Sequence, residues 1–186
     1  MIELKKGKRL SYSFLETFDL PSLDDSFSSD ALVFSFPEVH PAASLEITFQ
    51  RTFRIPDDDK DYPLPPGFGG FPLSHVDDFA ERVPKRWIEH GGVMLPMYQS
   101  EAMWLSFNSR FLSDHGTEYP FAIKVATGKI NAVSGESWKD ALNRKPQDYM
   151  VSKEQPWLDG YCVKKSLIRQ FVADRKSTRL NSSHYS

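Results

Sequence analysis

Two histidines and two aspartates come nearest to a metal-ligand arrangement in this chain: His75-Val76-Asp77-Asp78, and His90 further on between Glu89 and a glycine pair. Imidazole nitrogens and carboxylate oxygens are the donors of open zinc or iron sites, and a metal held that way can activate water for hydrolysis. The spacing matches no compact ligand motif, so the same residues also read as helix caps, surface pairs or satisfied histidines. Asp57, Asp58, Asp59 and Asp61 form an acidic turn without the glycine and terminal glutamate of an EF-hand. Nucleophile candidates are weaker. Ser134-Gly135-Glu136-Ser137 lacks the G-x-S-x-G spacing that places a serine on a tight strand-to-helix turn, and Ser137 reads instead as the N-cap of a brief helix from Trp138 to Leu142. Cys162 needs a base to form thiolate; His40, His75, His90 and His115 are the candidates, and a structural thiol is the simpler reading. Gly67-Phe68-Gly69-Gly70 and Gly128-Lys129 match neither a phosphate loop nor a dinucleotide fingerprint, which leaves turn glycines.

Binding has better raw material than catalysis. Phe68, Phe71, Trp87, Tyr98, Trp104, Trp157 and Tyr161 lie among glycines, prolines and polar residues. That composition can line a pocket or a partner surface, although core packing uses the same side chains. Gln99, Glu101, Lys124, Asn131 and Asp159 are the polar groups near them. From these, Tyr98, Trp104 and Lys124 form the candidate ligand-binding set.

The chain must first build a core to hold any of these. Its 186 residues are 40% hydrophobic and 13% aromatic, enough for one domain rather than a disordered segment. The formal charge of -2 argues against nucleic acid or an anionic membrane surface as partner, since both need clustered Lys and Arg. A single cysteine excludes an intrachain disulfide and a CxxC pair. With neither a leader pattern nor a membrane-length apolar run in view, a cytoplasmic location is the expectation.

Leu45 to Ile55 carries the clearest periodicity. Leu45, Ile47, Phe49, Phe53 and Ile55 share one parity, and Glu46, Thr48, Gln50, Thr52 and Arg54 share the other, which predicts a strand with one wet face. Ala31 to Phe36 reads as its neighbour, and residues 1–30 as an N-terminal segment loosely attached to a single domain spanning 31–173, which is open to continuation at its C-terminal end. Phe79, Val83 and Trp87 recur at helical spacing, with Pro84 in a first turn or dividing two short turns and Gly91-Gly92 ending the element. Phe121 to Ala126 and Lys129 to Ser134 flank Thr127-Gly128 as a hairpin, and Gly160 to Ala173 reads as a turn and a strand. The class expected is α+β, mainly antiparallel sheet with short helices and Gly/Pro-rich loops.

The segments Tyr62-Pro-Leu-Pro-Pro-Gly-Phe-Gly-Gly-Phe-Pro-Leu73, Gly91 to Phe107, Ala126 to Gly135, Pro146 to Tyr149 and Gln155-Pro-Trp-Leu-Asp-Gly160 resemble a family of microbial and fungal proteins to which no chemistry is assigned. The resemblance runs from about Arg51 to Ala173 and implies a longer protein, since members continue past the segment matching Ile168 to Ala173. A separate reading concerns the end of the chain. Asp174 to His184 reads codon by codon as a translated sequencing adapter, with Tyr185 and Ser186 where an index follows, so residues 174–186 are expected to be a non-native tail. Its literal alternative is a basic, Ser-rich tail that binds anions or carries phosphorylation sites. Without the tail, Lys plus Arg falls to 20 and Asp plus Glu to 24, and the formal charge becomes -4. Taken together, these readings point to a ligand- or protein-binding domain with no cofactor. Metal-assisted hydrolysis by His75, Asp77 or Asp78 with His90, using a divalent ion, is the first alternative, and a purely structural domain the second.

Overall fold

The structure, a computed structural model, describes residues 2–5, 29–56, 58, 60, 62–63, 65–112, 116–164 and 167–173. In chain order, β1 (Ile2–Lys5), β2 (Ala31–Ser35), β3 (Ser44–Thr52) and β4 (Gly67–Gly70) lead into β5 (Ser74–His75). A 3-10 turn (Val76–Phe79), α1 (Lys85–His90) and β6 (Val93–Met94) precede the second long strand, β7 (Ala102–Ser109). Six two-residue strands follow: β8 (Phe111–Leu112), β9 (Thr117–Glu118), β10 (Ala122–Ile123), β11 (Ala126–Thr127), β12 (Ile130–Asn131) and β13 (Met150–Val151). The last three are β14 (Trp157–Leu158), β15 (Gly160–Lys164) and β16 (Leu167–Val172).

The main sheet runs β1-β2-β3-β7-β16-β15, antiparallel throughout, with β4 on β3 and β14 on β7. Its centre is the pairing of β3 with β7, which sets Ile47 against Phe107 and Phe49 against Leu105. Side chains alternate faces along a strand, so these four and Leu45 share one face. Leu45, Leu105, Phe107, Ile123 and Met150 make the buried cluster, and Ile47, Phe49, Phe121 and Leu158 pack against it. Ile123 and Met150 arrive together because β10 pairs with β13.

The antiparallel sheet of the expected class is present. Its helical share among the described residues is the six-residue α1 and one 3-10 turn. Pro84 divides the two, as its missing N–H and fixed φ require. The periodic strand also ends earlier than its sequence alternation. β3 shifts register between Gln50 and Thr52 and stops there, leaving Phe53 61% exposed against the edge of the Phe68 ring at 4.4 Å. Nor is the polar parity simply wet. Thr48 and Thr52 are buried, and the Thr52 hydroxyl donates to the Pro66 carbonyl at 3.1 Å. The Gly/Pro loop that feeds β4 lies along this edge, so threonine supplies both the strand preference and the donor the loop needs.

The expected hairpin turns at Gly128, whose φ of 63° suits a residue without Cβ, but only Ala126–Thr127 and Ile130–Asn131 pair across it. The strand expected across Phe121 to Ala126 is thereby split between two partners. No helix forms from Trp138 to Leu142; Trp138 N–H donates to the Lys129 carbonyl at 2.7 Å, and Ser137 bridges to Ile130. Gly160 to Ala173 is a hairpin of two strands rather than a turn and one strand. Ile2–Lys5, within the segment expected to be loosely attached, pairs residue for residue with Phe34–Ala31, while 6–28 and the tail 174–186 lie outside the described residues. Among the described residues no helix is long and apolar enough to cross a membrane.

Phe107 is the large core side chain at the middle of the central pairing, 1% exposed. Phe107→Ala is expected to lower unfolding stability by about 3–5 kcal/mol, measured by urea denaturation, because the rigid sheet around it cannot collapse into the void.

Candidate functional site

A concavity with a mixed lining sits beside α1. β5 and β6 pair through Ser74 with Met94 and His75 with Val93, closing the base of a loop that contains the 3-10 turn and α1. Val76 donates its N–H to the Gly92 carbonyl at 3.1 Å and is itself buried, so the loop is tied to the body at its neck. Pro84, extended at φ -58° and ψ 141°, starts the helix, and Gly91 at φ 66° ends it by donating to the Trp87 carbonyl at 2.9 Å. No residue of α1 is buried. The helix therefore leans over the loop without sealing against it, and a groove of about 580 Å³ remains. Val76, Trp87, Val93, Met94 and Leu95 form its apolar wall, and Arg86 and His90 are its polar members.

Of the four residues expected to hold a metal, only His90 reaches this groove. His75 is exposed on β5, and Asp77 and Asp78 are exposed on the 3-10 turn. Among the described residues no group of three or more His, Cys, Asp or Glu side chains comes together in a ligand arrangement. The physical reason is the short turn itself: Asp77 and Asp78 are successive residues of a 3-10 turn, whose three residues per turn place neighbours on different faces, while His75 precedes it on a strand.

Tyr98, Trp104 and Lys124 are not gathered either; no hydrogen bond or ring contact joins them among the described residues. Tyr98 is 80% exposed on the turn before β7, its N–H donating to Glu101 at 2.9 Å. Glu101 also stands 3.1 Å from Arg51 Nε, an ion pair without the alignment of a hydrogen bond, and the Arg51 guanidinium covers the Phe71 ring at 4.6 Å. Trp104 is half-buried on β7 opposite Gln50, with its ring beside Gly67.

Lys124 has a different role. Its ammonium donates to the carbonyls of Lys139 at 2.6 Å and Ala141 at 2.8 Å and to Asp148 Oδ2 at 2.8 Å, and it lies 4.7 Å from the centre of the Trp138 ring. An ammonium has three donors, and all three are used inside the fold. The Asp148 Oδ1 accepts from the Asn143 N–H at 2.7 Å. Buried Asn131 donates to the Asp148 carbonyl at 2.7 Å and accepts from the Val133 and Ser134 amides at 2.8 and 2.9 Å. This explains the missing helix: carbonyls of Lys139 and Ala141 that a helix would direct to its own amides are turned onto Lys124.

The nucleophile candidates stay apart from the groove. The Cys162 N–H pairs with the Ala132 carbonyl at 2.8 Å, and its sulfur packs behind Gly135. His40 accepts from the Ala42 N–H at 3.0 Å and stacks on Tyr119, and His115 lies outside the described residues. Arg86, Val93 and Met94 were not singled out by sequence. The available signal was the four-residue spacing of Arg86 and His90, which puts both on one side of a helix that also carries Trp87. Neither a family model, nor a curated protein, nor a solved structure matches the chain.

The Lys124 ammonium first, and the Asn143 amide second, hold the Asp148 carboxyl below the ordinary carboxylate range. A carboxyl lowered on folding contributes stability in full above its unfolded value of about 4, and that contribution is lost as pH falls through the lower folded value. Asp148→Asn is therefore expected to be less stable than the parent at pH 7, with the gap narrowing as pH drops below about 4. Urea midpoints taken across that range test this, and a gap independent of pH would refute the assigned charge pairing.

Proposed function

We propose that this domain binds a small, largely apolar ligand in the groove between α1 and the β6 segment. The observation that carries the reading is Trp87, 43% exposed on a helix with no buried residue yet facing a concave wall of Val93, Met94 and Leu95. An indole at the lip of such a wall gains apolar contact when a ligand enters and loses little rotamer freedom, which is why aromatic side chains dominate small-molecule sites. Met94 adds a polarizable, adaptable surface on the opposite side. The tie between Val76 and Gly92 keeps the groove's floor in place whether or not the ligand is present.

A neutral fluorescent probe, N-phenyl-naphthylamine, tests this without assuming the natural ligand. The parent chain is expected to bind it with enhanced emission, and Trp87→Ala to weaken binding by roughly fivefold or more, in line with the loss of one aromatic anchor. Because α1 buries nothing, the far-ultraviolet circular dichroism of the variant should match the parent's. Equal binding of the probe by the two proteins would remove the groove from consideration.

A further inference from the structure

We infer that the ligand of this groove is an anion: an apolar body ending in one oxyanion group, with Arg86 and His90 as the polar clamp. This rests on the reading of the groove as a ligand site and adds the chemical class. The charged or titratable side chains in the lining are Arg86 and His90, both able to donate a hydrogen bond, and no Asp or Glu belongs to it. Arg86 and His90 are four residues apart on α1, so both project along the same side of the helix toward the groove they line.

Two further features favour an anion over a neutral ligand. First, among the described residues neither the Arg86 guanidinium nor the His90 ring has a hydrogen-bond or ion-pair partner, whereas Arg51 and Lys124 are both engaged. A guanidinium keeps its charge at all ordinary pH and presents a planar fork of donors suited to a carboxylate or similar oxyanion. Second, the acidic neighbours Asp77, Asp78 and Glu89 lie outside the lining, on the exposed 3-10 turn and the remaining surface of α1. The groove is thus apolar along its length and cationic at the helix, which matches a ligand with the opposite arrangement.

The test uses two probes that differ by one sulfonate: anilinonaphthalene sulfonate and the neutral N-phenyl-naphthylamine, titrated into the full chain. Arg86→Gln is expected to weaken the sulfonate probe roughly three- to tenfold, the range for one charge-assisted contact at a partly solvated site, and to leave the neutral probe within about twofold. Added salt should weaken the sulfonate probe and not the neutral one. Among the described residues Arg86 has no hydrogen-bond or ion-pair partner, so its replacement should leave the urea midpoint unchanged. An Arg86→Gln protein that binds the sulfonate probe as the parent does, or loses both probes equally, would overturn the anion assignment while the groove reading stands. If instead Trp87→Ala leaves both probes bound as before, the groove itself is the wrong site.

Discussion

Eight consecutive residue pairs join β3 to β7, from Leu45 opposite Ser109 to Thr52 opposite Ala102, and the remaining elements are positioned by the edges and faces this ladder leaves open. Along the far edge of β3, β2 takes one half and β4 the other. Along the far edge of β7, β14 pairs at Leu105 and Ser106, and β16 at Ala102 and Met103. Register carries more than adhesion here. A slip of one residue would move Leu45, Ile47 and Phe49 to the other face and put Glu46 and Gln50 against Ile123 and Met150, so burial of one face holds the pairing in place.

The stretch between β10 and β13 covers that core with almost no regular structure, and backbone groups without a ladder need other partners. Asn131, Asp148 and Lys124 supply them. A buried amide satisfies two backbone amides and one carbonyl, and a buried ammonium satisfies two carbonyls and a carboxylate. Such a network costs desolvation that the ion pair alone need not recover, and its worth lies in meeting these backbone amides and carbonyls where no ladder reaches them. Lysine beside an aromatic residue looks the same in sequence whether it waits for a ligand or closes a loop. The number of donors already consumed decides between them.

The α1 groove follows the opposite logic. Its helix is short, begun by proline and ended by glycine, and it contributes nothing to the core. A helix of this length has little stability of its own, so the β5–β6 pairing and the tie between Val76 and Gly92 hold it. Side chains there are free of packing demands, and an exposed indole and an unpaired guanidinium can be present without endangering the fold. The rigid sheet thus carries the core, and the lightly attached loop leaves the groove beside α1 open.

Local signals were legible where they depended on chain-neighbour physics. Alternation marked β3 and a short apolar run before Pro37 marked β2, proline and glycine marked the division and end of the helical region, and Thr127-Gly128 marked a hairpin turn. Partners were not legible. That Ile123 would pair with Met150, that Lys139 and Ala141 would give their carbonyls to Lys124, and that Thr52 would be covered by the Pro66 loop all depend on which distant segment arrives. The same holds for the sites. His75, Asp77, Asp78 and His90 are close along the chain and Tyr98, Trp104 and Lys124 are chemically suited to a pocket, yet neither set is brought together. Residue types and spacing determined the strands, the breaks and an apolar core for one antiparallel sheet. Tertiary structure alone decided which polar groups were consumed inside that sheet's cover and which, like Arg86, were left facing a cavity, because satisfaction of a donor is settled by contacts between segments and not by the residue that carries it.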